Sequence, residues 1–148
     1  MHNTVPILIT CDIDPTPEVP LKEKQHALDA TIELFDRYDI KATFYFGANY
    51  AKLYDYQINQ LSRYRHEIGC HGLTHGLEEE YNRMSEDIQR KYLTEATNKL
   101  EDLTGNVIRC FRGPRVKTSN VTQKILEELD YWVDSSVCSQ RIDLISSN

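Results

Sequence analysis

A chain of 148 residues, 40% hydrophobic and 27% charged, is long enough to bury its own core and reads as a single globular domain. A net charge of −6, with no basic cluster denser than Arg112, Arg115 and Lys117, excludes a polyanion track, so no nucleic-acid partner is expected. No apolar run approaches membrane-spanning length, and the opening Met1-His2-Asn3-Thr4 is not a signal peptide, so no membrane partner and a cytoplasmic address are expected.

Strand and helix signals alternate along the chain. Residues 5–10 predict a first strand that runs into Asp12 and Asp14. Pro15, Pro17 and Pro20 then stiffen a loop beside those carboxylates. Ala27, Leu28, Thr31, Leu34, Phe35 and Tyr38 lie at helical spacing. Residues 41–47, rich in β-branched and aromatic side chains, predict a second strand ending at Asn49. A second helix over 51–64 has Leu53, Tyr56, Ile58 and Leu61 as its apolar members. Residues 66–70 predict a third strand that ends at His71 and His75. Ser85 is the expected cap of a third helix with Glu86 and Asp87 in its first turn. Ile88, Tyr92, Leu93, Ala96, Leu100 and Leu103 form its stripe, and Gly105 stops it. Residues 107–111 predict a strand ending at Arg112, and a helix over 121–129 leads to a last strand, 131–133, followed by Asp134.

This repeated strand–helix unit predicts an α/β fold with a parallel sheet. In such folds the carboxyl ends of the strands open on one face, where ligands bind. Two carboxylates, two histidines and an arginine are therefore expected to converge there, the composition of a metal-dependent hydrolytic site. On an extended segment Asp12 and Asp14 share a side and Ile13 faces away. One carboxylate is then able to hold a metal while the other acts as base; two acidic residues at a strand end are also common without any role. His71 and His75, four apart, are expected on one side of a helical turn, close enough to share an ion. With Asp14 they make a ligand set that leaves positions open, unlike the four protein ligands of a closed structural zinc site. Arg112 is expected to pair with Asp12 and hold it ionised. Cys11, Cys70, Cys110 and Cys138 contain no Cys-x-x-Cys spacing, and those at strand ends read as small buried hydrophobes.

The ordered motifs carry a family resemblance. Thr10-Cys11-Asp12-Ile13-Asp14, Ile40-Lys41-Ala42-Thr43-Phe44-Tyr45-Phe46, His66 through His75, and Phe111-Arg112-Gly113-Pro114-Arg115 resemble, in register, the motifs of the polysaccharide deacetylases of NodB-homology type (carbohydrate esterase family four). The resemblance covers nearly the whole chain as one domain, 1–148. It implies a distorted (β/α)7 barrel, of which about five βα units are present, and hydrolysis of an acetamide by a metal-activated water. It implies one divalent ion, usually zinc, on Asp14, His71 and His75. Asp12 would be the general base oriented by Arg112, and the Arg115 backbone N–H would help stabilise the oxyanion. Asp134 matches the fourth-motif aspartate loosely, because Val137 and Cys138 stand where a tryptophan is expected.

The implied substrate is an N-acetylated saccharide. A hydrolase of small amides and a catalytically incompetent metal- or carbohydrate-binding domain are the alternatives. The family's general-acid histidine, in a fifth motif, and its final strands have no counterpart up to Asn148. The expectation is thus a fragment of a longer enzyme or a shortened domain, feebly active alone, whose open edge favours association of copies into a homo-oligomer.

Overall fold

The computed structural model describes residues 5–137. Five parallel strands lie side by side in chain order: β1 (Thr10–Ile13), β2 (Thr43–Phe46), β3 (Glu67–Cys70), β4 (Cys110–Phe111) and β5 (Val133–Asp134). The connections carry α1 (Leu21–Arg37), α2 (Ala48–Ala51), α3 (Asp55–Arg63), α4 (Glu86–Thr104) and α5 (Asn120–Glu128). This is the expected α/β architecture, with four strand–helix units, a fifth strand and an open rather than closed sheet among the described residues. No helix there is long and apolar enough to cross a membrane.

Alternation along the strands separates two faces. Phe44, Phe46, Ile68, Cys70 and Phe111 turn towards the helices and join Leu28, Ile32, Leu61, Leu93, Leu100 and Ile125 in one core. The opposite face is polar, and Thr43 Oγ1 there donates to Glu67 Oε2 at 2.7 Å. Cys70 and Cys110 are buried free thiols, as the small-hydrophobe reading expects, and burial pushes both up to about 12. Cys11 is half-buried and free, and Cys138 lies outside the described residues.

Several predicted elements shift. The first strand begins at Thr10, not at residue 5, and Ile7 and Leu8 are exposed. Among the described residues its only strand neighbour is β2, whose register opposite it starts at Thr43, so the backbone preceding Thr10 has little to pair with there. The helix foreseen over 51–64 is broken: α2 ends at Ala51, a 3-10 turn covers Lys52–Tyr54, and α3 begins at Asp55. That tighter turn advances the phase. Tyr54 therefore enters the core with Ile58 and Leu61, while Leu53 and Tyr56 face solvent. On α1 the buried stripe is Leu28 and Ile32 with Phe35 beside it, and Leu34 and Tyr38 are exposed.

α4 starts after Ser85 and stops at Gly105, whose φ of 66° and N–H bond to the Glu101 carbonyl make a left-handed cap. Ile88 is exposed, and Gln89 is buried instead, accepting from Thr122 Oγ1 at 2.7 Å to tie α4 to α5. α5 opens on a reciprocal Ser119–Thr122 capping box.

His66, just before β3, is buried, and neither ring nitrogen has a hydrogen-bond partner. Its ring lies edge-on to Phe44, 5.3 Å between centroids, and 6.1 Å from Phe35. Burial, helped by Lys41, lowers its pKa below the ordinary 6.5. A group that is harder to protonate in the folded chain than in the unfolded one contributes stability above the unfolded pKa. That contribution is lost as pH falls through the folded value. Unfolding midpoints in urea should therefore decline as pH drops from about 6.5. His66→Phe should flatten that part of the profile; an unchanged slope in the folded variant would refute the role of His66.

Candidate functional site

Across the polar face of the sheet, a side chain at the end of β4 reaches β1. Arg112, one residue past β4, donates from Nη1 to Asp12 Oδ1 at 2.7 Å. Its Nη2 donates to Thr10 Oγ1 at 2.9 Å and to Ser135 Oγ at 2.6 Å. The guanidinium carbon lies 4.5 Å from the Tyr45 ring centroid, between the two strands it links. Burial raises the Tyr45 phenol to about 12, so it stays neutral beneath the cation. Tyr45 fits across this face because Gly69 on the neighbouring strand has no side chain: a Cβ there would stand 2.5 Å from the ring.

Asp12 and Asp14 do share a side, with Ile13 packed on the core. The Nε2 atoms of His71 and His75 each lie 3.3 Å from Asp14 Oδ1, and the three ligand atoms fall within 4.8 Å of one another. Asp12 Oδ2 is 3.9 Å from His71 Nε2. The helical turn expected for the two histidines is not there. Residues 71–76 form an irregular loop in which Gly72 has φ 77° and His75 φ 54°, both incompatible with continuing an α-helix. The imidazoles still face each other, with centroids 5.0 Å apart.

The tautomer of His71 follows from its partner. Its Nδ1 lies 2.7 Å from the Arg112 carbonyl oxygen, which only accepts, so Nδ1 carries the proton. In neutral His71 the Nε2 lone pair then points at a carboxylate oxygen that is itself buried and has no hydrogen-bond partner. Two lone pairs directed at one another need a cation between them, and the donor set of two imidazoles and one carboxylate fits a divalent ion. Burial works to lower the His71 pKa, yet the Asp14 carboxylate and the Arg112 carbonyl carry it above the ordinary value. Asp14 is lowered in turn, chiefly by its contact with His71.

Arg115 occupies the turn Pro114–Val116 at φ 55°, with Val116 at 54°, a strained pair for side chains with a Cβ. Its guanidinium reaches the other way, to the Gly76 carbonyl at 2.6 Å and the Glu79 carbonyl at 3.2 Å. This grip on the histidine loop was invisible in the sequence. So was the bond of Ser135 to Arg112. Asp134 Oδ1 accepts from the Ser136 N–H at 2.9 Å, and Ser136 Oγ accepts from the Gly113 N–H at 2.8 Å. The end of β5 thereby fixes the turn that carries Arg112.

This arrangement and the sequence agree on a class. Residues 3–133 match the polysaccharide deacetylase family, and the chain belongs to it. Among solved structures, a family-four carbohydrate esterase pseudoenzyme from Bacillus anthracis superposes with a TM-score of 0.73 at 20% identity, over 86% of this chain and 41% of that one. The Bc1960 peptidoglycan N-acetylglucosamine deacetylase gives 0.70 at 19% identity, over 90% and 57%. The Streptococcus pyogenes deacetylase PplD, solved with acetate, gives 0.69 at 16%, over 88% and 57%. At such identities the likeness is one of fold. The chain spans roughly half the length of these proteins, between 41% and 57%. No curated protein matches it.

Gly69→Ala should force the Tyr45 ring, and with it Arg112, out of place. Overpacking of this kind costs about 1–3 kcal/mol. Denaturant unfolding checks it; a loss below about 0.5 kcal/mol, the range of ordinary surface changes, would mean that the face accommodates the methyl group.

Proposed function

We propose that this site is the catalytic centre of a metal-dependent hydrolase that removes the acetyl group of an N-acetylated saccharide, with zinc as its ion. The observation that carries the reading is the convergence of two imidazole Nε2 atoms on one Asp14 oxygen, each at 3.3 Å, beside a second carboxylate already paired with arginine. Asp14, His71 and His75 would hold the ion, and two nitrogen donors with one oxygen suit zinc. When bound, such an ion supplies Lewis acidity, which acidifies water to a pKa of about 7 in favourable sites and polarises a carbonyl.

Asp12 has its two oxygens in different employment. Oδ1 accepts from Arg112, which holds the carboxylate in place. Oδ2 faces the ligand side, 3.9 Å from His71 Nε2, and is the atom that takes the proton from an attacking water. His71 keeps its Nε2 free to ligate because its Nδ1–H is committed to the Arg112 carbonyl. The backbone N–H of Arg115, the first donor after Pro114, is our assignment for the group that meets the oxyanion as it forms. Its side chain meanwhile braces the loop that carries both histidines.

Binding without turnover is the second reading. It is favoured by the family-four neighbour that is described as a pseudoenzyme. Metal analysis of the purified protein, followed by measurement of acetate release from N-acetylglucosamine oligosaccharides and of hydrolysis of small cyclic amides, separates the readings. Stoichiometric metal with acetate release is the expected outcome; metal without any turnover would select the binding domain.

Two variants test the individual roles. His71→Ala combined with His75→Ala should remove stoichiometric metal from a folded chain, and unchanged metal content would sink the ligand assignment. Asp12→Asn should keep the metal and lose activity by about 10²–10⁴-fold, the usual share of a general base. A loss under tenfold would argue for another base.

A further inference from the structure

Glu79 is the one carboxylate of the chain with no exposure at all among the described residues, and it stands in the middle of Glu78-Glu79-Glu80. A buried carboxylate is stable only if donors replace its lost water. Five interactions do so here. Oε1 accepts from the Leu73 N–H and the Tyr81 hydroxyl, both at 2.7 Å. Oε2 accepts from the Thr74 N–H at 2.6 Å, the Thr74 hydroxyl at 2.9 Å and the His75 N–H at 2.7 Å. Three successive backbone donors between and at the two histidines thus converge on one side chain. Thr74 Oγ1 in turn accepts from the Gly76 N–H at 2.9 Å, which extends the same cap by one residue.

The carboxylate also needs the loop to come close. A Cβ at Gly72, whose φ is 77°, would stand 2.5 Å from Glu79 Oε1. On the outer side Arg115 donates to the carbonyls of His75, Gly76 and Glu79, at 3.4, 2.6 and 3.2 Å. The N–H groups of Leu73, Thr74 and His75 therefore point to an anion, and the carbonyls of His75 and Gly76 to a cation. That pattern fixes a backbone containing a left-handed His75, which no regular structure would hold.

We propose that Glu79 is a positioning residue for the metal site: a buried carboxylate that shapes the 71–76 loop so that His71 and His75 converge on Asp14. It touches neither an imidazole ring nor the ligand-side oxygen of Asp14; it acts through the backbone that carries the rings. Its role rests on the metal-site reading above, but its hold on the loop is measurable without metal.

The isosteric Glu79→Gln is the direct test. Glutamine offers one acceptor oxygen, and its NH2 group must face N–H donors on the other side. In the metal-free full chain, amide exchange at Leu73, Thr74 and His75 should rise at least tenfold, with the rest of the sheet unchanged by circular dichroism. With Co2+ as the probe, affinity should fall about 10–100-fold, as for other residues that support metal ligands, and the d–d absorption should change shape. Glu33→Gln removes an equal charge on an exposed side chain of α1 and should leave both readouts within twofold. If Glu79→Gln does not fold, Glu79→Asp keeps the charge but is one methylene too short to span all three amides, and is read the same way. A folded variant with a lower melting temperature but wild-type Co2+ affinity and spectrum would overturn the proposal, as would unchanged exchange at the three amides. Failure of the wild-type chain to bind Co2+ would instead refute the metal site. Glu79's hold on the loop would then stand or fall on the exchange data alone.

Discussion

Arg112 is where the fold and the site become one object. Its guanidinium ties β4 to β1 through Asp12 and Thr10, reaches Ser135 beyond β5, and rests on Tyr45 of β2. Its carbonyl oxygen sets the tautomer of His71. All five strands are thus referred to one residue. An exposed arginine–aspartate pair is worth little. This one is three-quarters or more shielded on the arginine side and has four partners, so its geometry is over-determined.

The histidine loop shows a second principle. Two histidines that would face one ion are placed on a stretch with no regular hydrogen bonding and two left-handed residues. Such a loop persists only when its surroundings dictate its shape. Here the inward donors go to Glu79, and Arg115 takes outward acceptors. The strained Arg115–Val116 turn is the counterpart, held by a 3-10 bond from Val116 to the Gly113 carbonyl and by the Ser136 contact behind it. Strain and its compensation sit on adjacent loops that grip each other.

Much of this could be seen along the chain. The order and type of the elements follow from apolar periodicity, and the strand-end positions of Asp12, Asp14, His71, His75 and Arg112 place them on one face of any parallel sheet. The family motifs supplied roles that spacing alone left open. What was misread has identifiable causes. The 3-10 turn at Lys52–Tyr54 shifts the apolar phase of α3 by part of a turn, and a period count cannot see it. Ile7 and Leu8 carry every strand signal but have little to pair with at the sheet edge. His71 and His75 fit a helical spacing equally well in a loop, because four residues bent by a glycine also bring two rings together.

The sequence by itself determined the parallel α/β class and the chemistry gathered at the strand ends, because both depend on residue type and local period. Tertiary structure alone decided which acidic residue of Glu78-Glu79-Glu80 would be buried, which face Arg115 would grip, and which oxygen of Asp12 would remain free. Those outcomes depend on contacts between segments up to a hundred positions apart, as between Asp12 and Arg112. A run of three glutamates is locally indistinguishable from a solvated surface. Five donors around one of them replace the water that it loses on burial.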